Sequence, residues 1–158
     1  MRRRSSPPLA ESTLPLADRT RLLLDNSVWQ RMPRPKVRAA VEALLAQVSP
    51  LDVLICPPVA AEVGFSARDG KGHDRVRQAL AEFPDCEKHP GTSLVLDIQN
   101  RLWKGGLLRA VGATDTEIAA YAIANGATVV HYDADFEHVA KVWPDFRHRW
   151  VMPRGSVD

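Results

Sequence analysis

Short apolar runs alternate with longer stretches of helical periodicity along most of the chain. Residues 22–24 are three leucines that stop abruptly at Asp25, and residues 53–56 form a second short run. Apolar runs of this length, bounded by turn-forming residues, are typical of strands that are buried on both faces of a parallel sheet. The pattern therefore predicts an α/β protein.

Helical spacing of apolar residues fills the intervals between these runs. It predicts helices over residues 36–48, from Pro57 onward, over 73–83 and over 92–104. Further along the chain, Thr114 is expected to cap a helix over 115–125. Gly126 is expected to end that helix in the left-handed conformation, before a strand over 127–131. This unit is the clearest in the sequence.

A short helix to about residue 142 and a last strand over 150–152 complete the predicted elements. Strands that alternate with helices predict an α/β/α sandwich, in which helices flank a central, mostly parallel sheet. We expect one domain over residues 21–153, preceded by a leader of residues 1–20 and followed by a tail of residues 154–158.

The composition is that of a globular protein of ordinary size. The chain has 158 residues, of which 45% are hydrophobic and 25% charged. No apolar run approaches the ~20 residues that a membrane-spanning helix needs, which excludes an integral membrane protein. Cys56 and Cys86 form neither a disulfide framework nor a CxxC motif, so a reducing compartment, the cytoplasm, is expected.

The net charge of +2 lies in the predicted leader. Residues 1–20 carry four basic and two acidic side chains, and the rest of the chain carries 17 of each. Prolines, serines and scattered charges give the leader little to bury, which predicts disorder. The prolines also interrupt the apolar segment that an export signal would need.

Acidic residues recur where the predicted strands end. Asp25 ends the first strand, Glu62 follows the second by about one helical turn, and Asp133 and Asp135 follow the strand over 127–131. Asp115 opens the helix that leads into that strand. Functional groups of open α/β sheets gather outside the carboxyl ends of the strands, so these carboxylates are expected to converge.

Converging carboxylates repel one another and cannot all ionise unless a cation is present. A ligand set of oxygens alone, with no His or Cys, favours Mg²⁺ or Mn²⁺. Each acid also has a structural interpretation. Asp115 could favour the positive end of its helix dipole, Asp133 and Asp135 could be turn residues, and Glu62 could lie on a solvated helix face. Asp25 is the hardest to explain in this way.

Several motifs resemble those of the PIN-domain ribonucleases, in particular the VapC toxins of bacterial VapBC toxin–antitoxin pairs. They are LLLDNS at 22–27, PPVAAEVGFSAR at 57–68, ATDTEIAAYAIANGATVVHYDADFEHVA at 113–140 and WVMP at 150–153. The resemblance covers nearly the whole chain after the leader. It departs from the usual pattern at Asn26, where Thr is common, and at Thr116-Glu117, where two aliphatic residues are usual.

The resemblance implies a PIN-like fold and an endoribonuclease in which metal-activated water hydrolyses RNA phosphodiesters, with tRNA or rRNA as substrates. Asp25, Glu62, Asp115 and Asp133 match the acidic quartet that is catalytic and holds Mg²⁺ or Mn²⁺. Asp135 matches an auxiliary acid, and Ser27 matches a hydroxyl that points into the site. A small antitoxin protein and a homodimer are the implied partners.

Basic residues near the acidic motifs are candidates for RNA binding, because phosphates dominate nucleic-acid affinity. These candidates are Arg31, Arg34, Lys36, Arg68 and Arg109. A solvated helix start explains Arg31, Arg34 and Lys36 equally well. Hydrophobic residues near the same motifs are interpreted as an antitoxin groove if they are exposed, and as core if they are not; they are Trp29, Met32, Val63 and Phe65.

Two other functions stay open at this point. One is a non-catalytic PIN-like module that binds RNA or regulates. The other is a phosphatase or phosphoacceptor centred on Asp25, although the DxD motif and the adjacent acidic pair of such proteins are missing. The histidines lack the spacing of a zinc site, and no glycine-rich nucleotide loop is present. His131 is interpreted as a supporting residue rather than a general base.

Overall fold

A four-stranded parallel sheet forms the centre of the protein in a computed structural model, which describes residues 19–157. The strands are β1 (Arg21–Leu24), β2 (Val53–Leu54), β3 (Ala127–His131) and β4 (Arg147–Trp150). Their order is β2-β1-β3-β4, and every neighbouring pair is parallel. The carboxyl ends of all four strands therefore meet at one edge of the sheet.

Helices cover both faces of this sheet. They are α1 (Asn26–Trp29), α2 (Pro35–Leu45), α3 (Pro57–Phe65), α4 (Gly70–Leu80), α5 (Gly91–Lys104), α6 (Ala113–Asn125) and α7 (Asp135–Val142). Leu23 packs into one buried cluster, with α3, α5, α6 and α7, whereas Leu22 and Leu24 pack into the other, with α1 and α2. This alternation confirms the predicted α/β/α sandwich. Within residues 19–157, no helix combines the length and apolarity needed to cross a bilayer.

Several predicted element boundaries were wrong: the helices predicted over 36–48 and 73–83 are Pro35–Leu45 and Gly70–Leu80. The second strand keeps only two residues, because Ile55 bridges Asp85 in a later loop. The last strand is Arg147–Trp150 rather than 150–152, since an edge strand alternates exposed and half-buried residues and shows no apolar run. Gly112, not Thr114, caps α6, whose first turn is held by the Thr116 hydroxyl donating to the Gly112 carbonyl at 2.9 Å.

Residues of the predicted leader and of the predicted tail both take part in the described fold. Residues 1–18 of the predicted leader lie outside the described residues, but Arg19 forms an ion pair of 2.6 Å with the buried carboxylate of Asp52. At the other end, Val157 is buried, and its N–H donates to the Tyr132 hydroxyl at 2.9 Å. Val157 thereby fixes the residue that precedes Asp133.

Candidate metal centre

Asp25 lies at the carboxyl end of β1 and is 2% exposed. Its Oδ2 accepts the Ser27 N–H at 2.9 Å and so caps α1. Its Oδ1 is buried and has no hydrogen-bond partner within the described part of the chain. Burial raises the pKa of Asp25 and the charge of Asp133 raises it further, whereas hydrogen bonds from Ser27 lower it.

Three more carboxylates lie together at the same edge of the sheet. Asp115 lies in the first turn of α6, and Asp133 and Asp135 follow β3. One oxygen from each of these three lies within 4.8 Å of the other two. Burial raises the pKa of Asp115 to about 8, with further contributions from the charges of Asp25 and Asp133 and from a hydrogen bond with Asp135.

Glu62 faces this group from α3, where its side chain is half-buried. Its pKa is raised first by burial, then by the charges of Asp25 and Asp133. All five predicted acids therefore contribute to one electrostatic site. The tightest group within it contains Asp135, which the resemblance implied only as an auxiliary residue.

Backbone and hydroxyl groups hold the acid-bearing segments in place. The Ser27 hydroxyl accepts the Tyr132 N–H at 2.9 Å, which joins the end of β1 to the end of β3. The Asp133 N–H donates to Nδ1 of His131 at 3.1 Å, and the Asp133 Oδ1 accepts the Asp135 N–H at 2.9 Å. Hydrogen bonds from the backbone N–H groups of Tyr132, Asp133 and Asp135 thus hold the turn after β3 in place.

His131 supports the site as an uncharged side chain. It is fully buried, and burial followed by the neighbouring His148 lowers its pKa to about 3. Because Nδ1 accepts the Asp133 amide, Nε2 carries the proton toward Nδ1 of His148, 2.8 Å away. A neutral imidazole supplies no charge to offset the carboxylates.

Gly112 contributes to the site without any signal in the sequence. Its N–H donates to the Asp135 Oδ2 at 3.2 Å, so the cap of α6 touches the turn after β3. A Cβ at this position would lie 3.3 Å from the Asp115 Oδ2. This tight approach depends on the packing of two segments that are distant in sequence, which no local pattern records.

The predicted basic residues divide into two kinds. Arg31 is half-buried, its guanidinium lies 4.5 Å above the Tyr132 ring, and its Nη1 donates to the Ser27 carbonyl at 3.0 Å. It therefore braces the site from inside the fold. The other four are exposed: Arg34, Lys36, Arg68 and Arg109.

The hydrophobic residues considered for an antitoxin groove also divide. Val63 is buried, and Trp29 and Met32 are half-buried, so these three follow the core alternative. Phe65, in contrast, is 92% exposed at the end of α3. An aromatic ring exposed to this extent beside an acidic site is available for contact with another molecule.

The carboxylates fit a hard divalent cation. The unpartnered Oδ1 of buried Asp25 is costly unless a proton or a cation satisfies it. The raised pKa values of Asp25, Glu62 and Asp115 show that the site favours neutralisation. An oxygen-only set of this kind suits Mg²⁺ or Mn²⁺ rather than zinc. Fold and site together define an α/β protein with a cluster of carboxylates at its strand ends that fits a divalent cation.

Comparison with known sequences identifies the family. The PIN domain model matches residues 22–142. Ribonuclease VapC51 of Mycobacterium tuberculosis (strain H37Rv) is 36% identical over 137 residues, which cover 86% of this chain and 96% of the relative. Ribonuclease VapC21 of Mycobacterium tuberculosis (strain CDC 1551) is 34% identical over 140 residues, covering 87% and 99%. The chain belongs to the PIN domain family and, within it, to the VapC-type ribonucleases.

Solved structures agree on the fold. VapBC-1 from nontypeable Haemophilus influenzae superimposes with a TM-score of 0.65 at 17% identity, covering 82% of this chain and 97% of that one. VapBC2 from Rickettsia felis, bound to a DNA fragment from its promoter, gives a TM-score of 0.63 at 18% identity with the same coverage. At this level of identity, the likeness supports the α/β/α architecture alone.

Proposed function

We propose that this chain is a Mg²⁺- or Mn²⁺-dependent endoribonuclease that acts as the toxin of a toxin–antitoxin pair. The observation that carries the proposal is the convergence of five acids at the strand ends, where buried Asp25 keeps one carboxylate oxygen unpartnered among the described residues. The curated relatives, which are named ribonucleases, support the same activity. Structured RNA, such as tRNA or rRNA, is the proposed substrate.

The acids hold the cation, and the residues around them hold the acids. Asp25, Glu62, Asp115 and Asp133 would be its ligands, with Asp135 supporting from the same turn. When bound, a divalent cation lowers the pKa of water and polarises phosphodiester oxygens. Near neutral pH, the raised pKa of Asp115 keeps a proton on its carboxyl group in the metal-free site, and Asp115 would give up that proton in order to serve as a ligand.

Ser27 and His131 act as positioning residues in this scheme. The Ser27 N–H orients Oδ2 of Asp25, which leaves Oδ1 without a partner among the described residues. His131 fixes the amide of Asp133, and Asp133 in turn fixes the amide of Asp135. Exposed Arg34, Lys36, Arg68 and Arg109 are proposed to contact RNA phosphates at the rim.

The proposed partners are a small antitoxin protein and, in a homodimer, a second copy of the chain. Complexes of VapBC and FitAB proteins among the structural neighbours support an antitoxin partner. We place the activity in the cytoplasm, where RNA substrates are made. Cys56 and Cys86 are free thiols, as is usual in a reducing compartment.

The proposed chemistry is tested by removing charge from the site while keeping the shape of the side chain. Asp25→Asn should abolish cleavage of a tRNA and rRNA mixture with Mn²⁺, and so should Asp115→Asn. Asp145→Asn is the matched control, because Asp145 is exposed in the loop before β4, at the opposite edge of the sheet. Full activity in both site variants, or loss of activity in the control as well, would contradict the assignment.

The proposed biological role needs a separate test in cells. Induced expression of the chain should arrest growth, and co-expression of the small protein encoded beside it should restore growth. Asp25→Asn should be harmless on its own. Arrest of equal strength by Asp25→Asn would point to a non-catalytic module that acts by binding.

A further inference from the structure

A groove of about 710 Å³ opens directly beside the metal centre. Asn26 and Gln30 line it from the side of α1, Glu62 and Phe65 line it from α3, and Glu117 lines it from α6. Glu62 belongs to the groove and to the acidic site at once. A molecule held in the groove would therefore lie beside one of the acids that are candidates to hold the cation.

The charge of the groove determines which part of an RNA strand it accepts. Its described lining contains the carboxylates of Glu62 and Glu117 and no lysine or arginine. An anionic phosphate would be repelled at this place, whereas an uncharged base with N–H donors would be attracted. When Glu62 is engaged with a cation, Glu117 is the carboxylate that stays available to the groove.

The remaining walls match a flat heteroaromatic ring. Phe65 is 92% exposed, and its ring is free to stack on a base, as aromatic side chains do in proteins that bind single-stranded RNA. On the side of α1, Gln30 lines the groove and is exposed, so its amide oxygen offers a further acceptor. Stacking surface and acceptors thus line one groove.

We infer that this groove binds an unpaired guanine base next to the scissile phosphate, with Phe65 stacking on the ring and Glu117 accepting its N–H groups. The assignment to guanine follows from its Watson–Crick edge, where N1–H and the 2-amino group lie side by side and match the two oxygens of one carboxylate. Adenine, cytosine and uracil each present only one donor group on this edge, next to at least one acceptor. The inference rests on the proposed function, because it assigns the base that accompanies the phosphate to be cleaved.

Binding is best measured on the Asp25→Asn background with Mg²⁺, where the RNA should stay intact. The probe is a fluorescein-labelled single-stranded oligouridylate that contains one guanosine, and the readout is fluorescence anisotropy. Phe65→Ala should weaken binding about tenfold, and Phe65→Trp should restore it, since either aromatic ring stacks on a base. Replacing the guanosine by an abasic site should cost the same factor, and the two losses should not add.

Glu117 is tested through the 2-amino group that it is inferred to bind. Inosine, which lacks this group, should bind about fivefold more weakly than guanosine, and Glu117→Gln should remove the difference. Leu51→Ala is the matched control, since Leu51 is 75% exposed before β2, at the amino-terminal edge of the sheet. This control should bind both RNAs like its parent.

The outcomes separate this inference from the proposed function. RNA affinity unchanged by Phe65→Ala, or a guanosine preference that survives Glu117→Gln, overturns the inference. If Phe65→Ala leaves the RNA affinity unchanged but abolishes binding of the small protein encoded beside this chain, the inference is overturned in favour of a protein-docking role for Phe65. Cleavage by the unsubstituted protein, measured on the same oligonucleotide with Mn²⁺, tests the proposed function independently of either variant.

Discussion

Asp115→Asn should stabilise the metal-free protein and, at the same time, abolish its stabilisation by metal. The side chain keeps its size but loses the charge that burial and three neighbouring acids, Asp25, Asp133 and Asp135, disfavour. An acid whose pKa rises on folding lowers the stability of the folded state as the pH rises from the unfolded pKa to the folded pKa, because the unfolded chain ionises first. The penalty is absent below pH 4 and grows as the pH rises toward 8.

The size of the effect follows from the raised pKa of Asp115. A rise from 3.8 to about 8 corresponds to at most about 6 kcal/mol of folding free energy. Solvent screening at this half-buried carboxylate reduces the figure to about 2 kcal/mol. For a domain of this size, that difference raises the midpoint of thermal unfolding by about 5 °C.

Circular dichroism in EDTA measures this midpoint for both proteins at pH 4 and pH 8. The advantage of Asp115→Asn should at least double between these two values, and Mn²⁺ should then stabilise only the unsubstituted protein. Asp145→Asn serves as the control for a carboxylate outside the site. A variant that is no more stable at pH 8, or an advantage that stays constant with pH, would refute the electrostatic argument.

Three further predictions concern proton release and two structural positions. Binding of Mn²⁺ at pH 7 should release about one proton, chiefly from Asp115. The calorimetric heat of binding should therefore differ between buffers of different ionisation enthalpy. Equal heats in all buffers would contradict this prediction. Asn125→Ala should lower the free energy of unfolding in urea by about 2–3 kcal/mol, because the Asn125 side chain bonds both the N–H and the carbonyl of Lys88 and the Tyr121 carbonyl. Gly126→Ala should cost about 1 kcal/mol in the same assay, since Gly126 ends α6 with a φ of 61°, and an unchanged midpoint would contradict the assigned strain.

The sheet could be predicted in part because its central strands are buried on both faces. Residues 22–24 are all leucine and residues 127–131 are mostly apolar, and the structure confirms them as β1 and β3. Parallel pairing then dictates that their carboxyl ends share an edge, which is why Asp25 and Asp133 could be assigned to one site before any coordinates. In this region, local pattern and long-range topology agree.

The remaining elements depend on contacts that a local pattern does not contain. β4 reads Arg-His-Arg-Trp and is a strand only because β3 offers it an edge, with His131 opposite Trp150. α4 has no buried residue, and the apolar spacing that predicted a helix over 73–83 located its ends only to within three residues. The approach of Gly112 to Asp135 and the role of Asn125 in holding Lys88 join segments far apart in sequence. The roles of Gly112 and Asn125 become apparent only in the folded chain.

The sequence was most informative about the site at the residues that lower the stability of the fold. A buried run that ends in Asp25, and a left-handed glycine followed by a strand that ends near two acids, interrupt an otherwise consistent apolar pattern. The structure gives these interruptions a physical cost, as raised pKa values and an unpartnered Oδ1 on Asp25. Departures from local consistency tend to mark function, because a fold retains such a cost only where a ligand relieves it. By the same reasoning, Gly112 stayed inconspicuous because neighbouring side chains satisfy both its N–H and its carbonyl, and so it leaves no irregularity in the sequence.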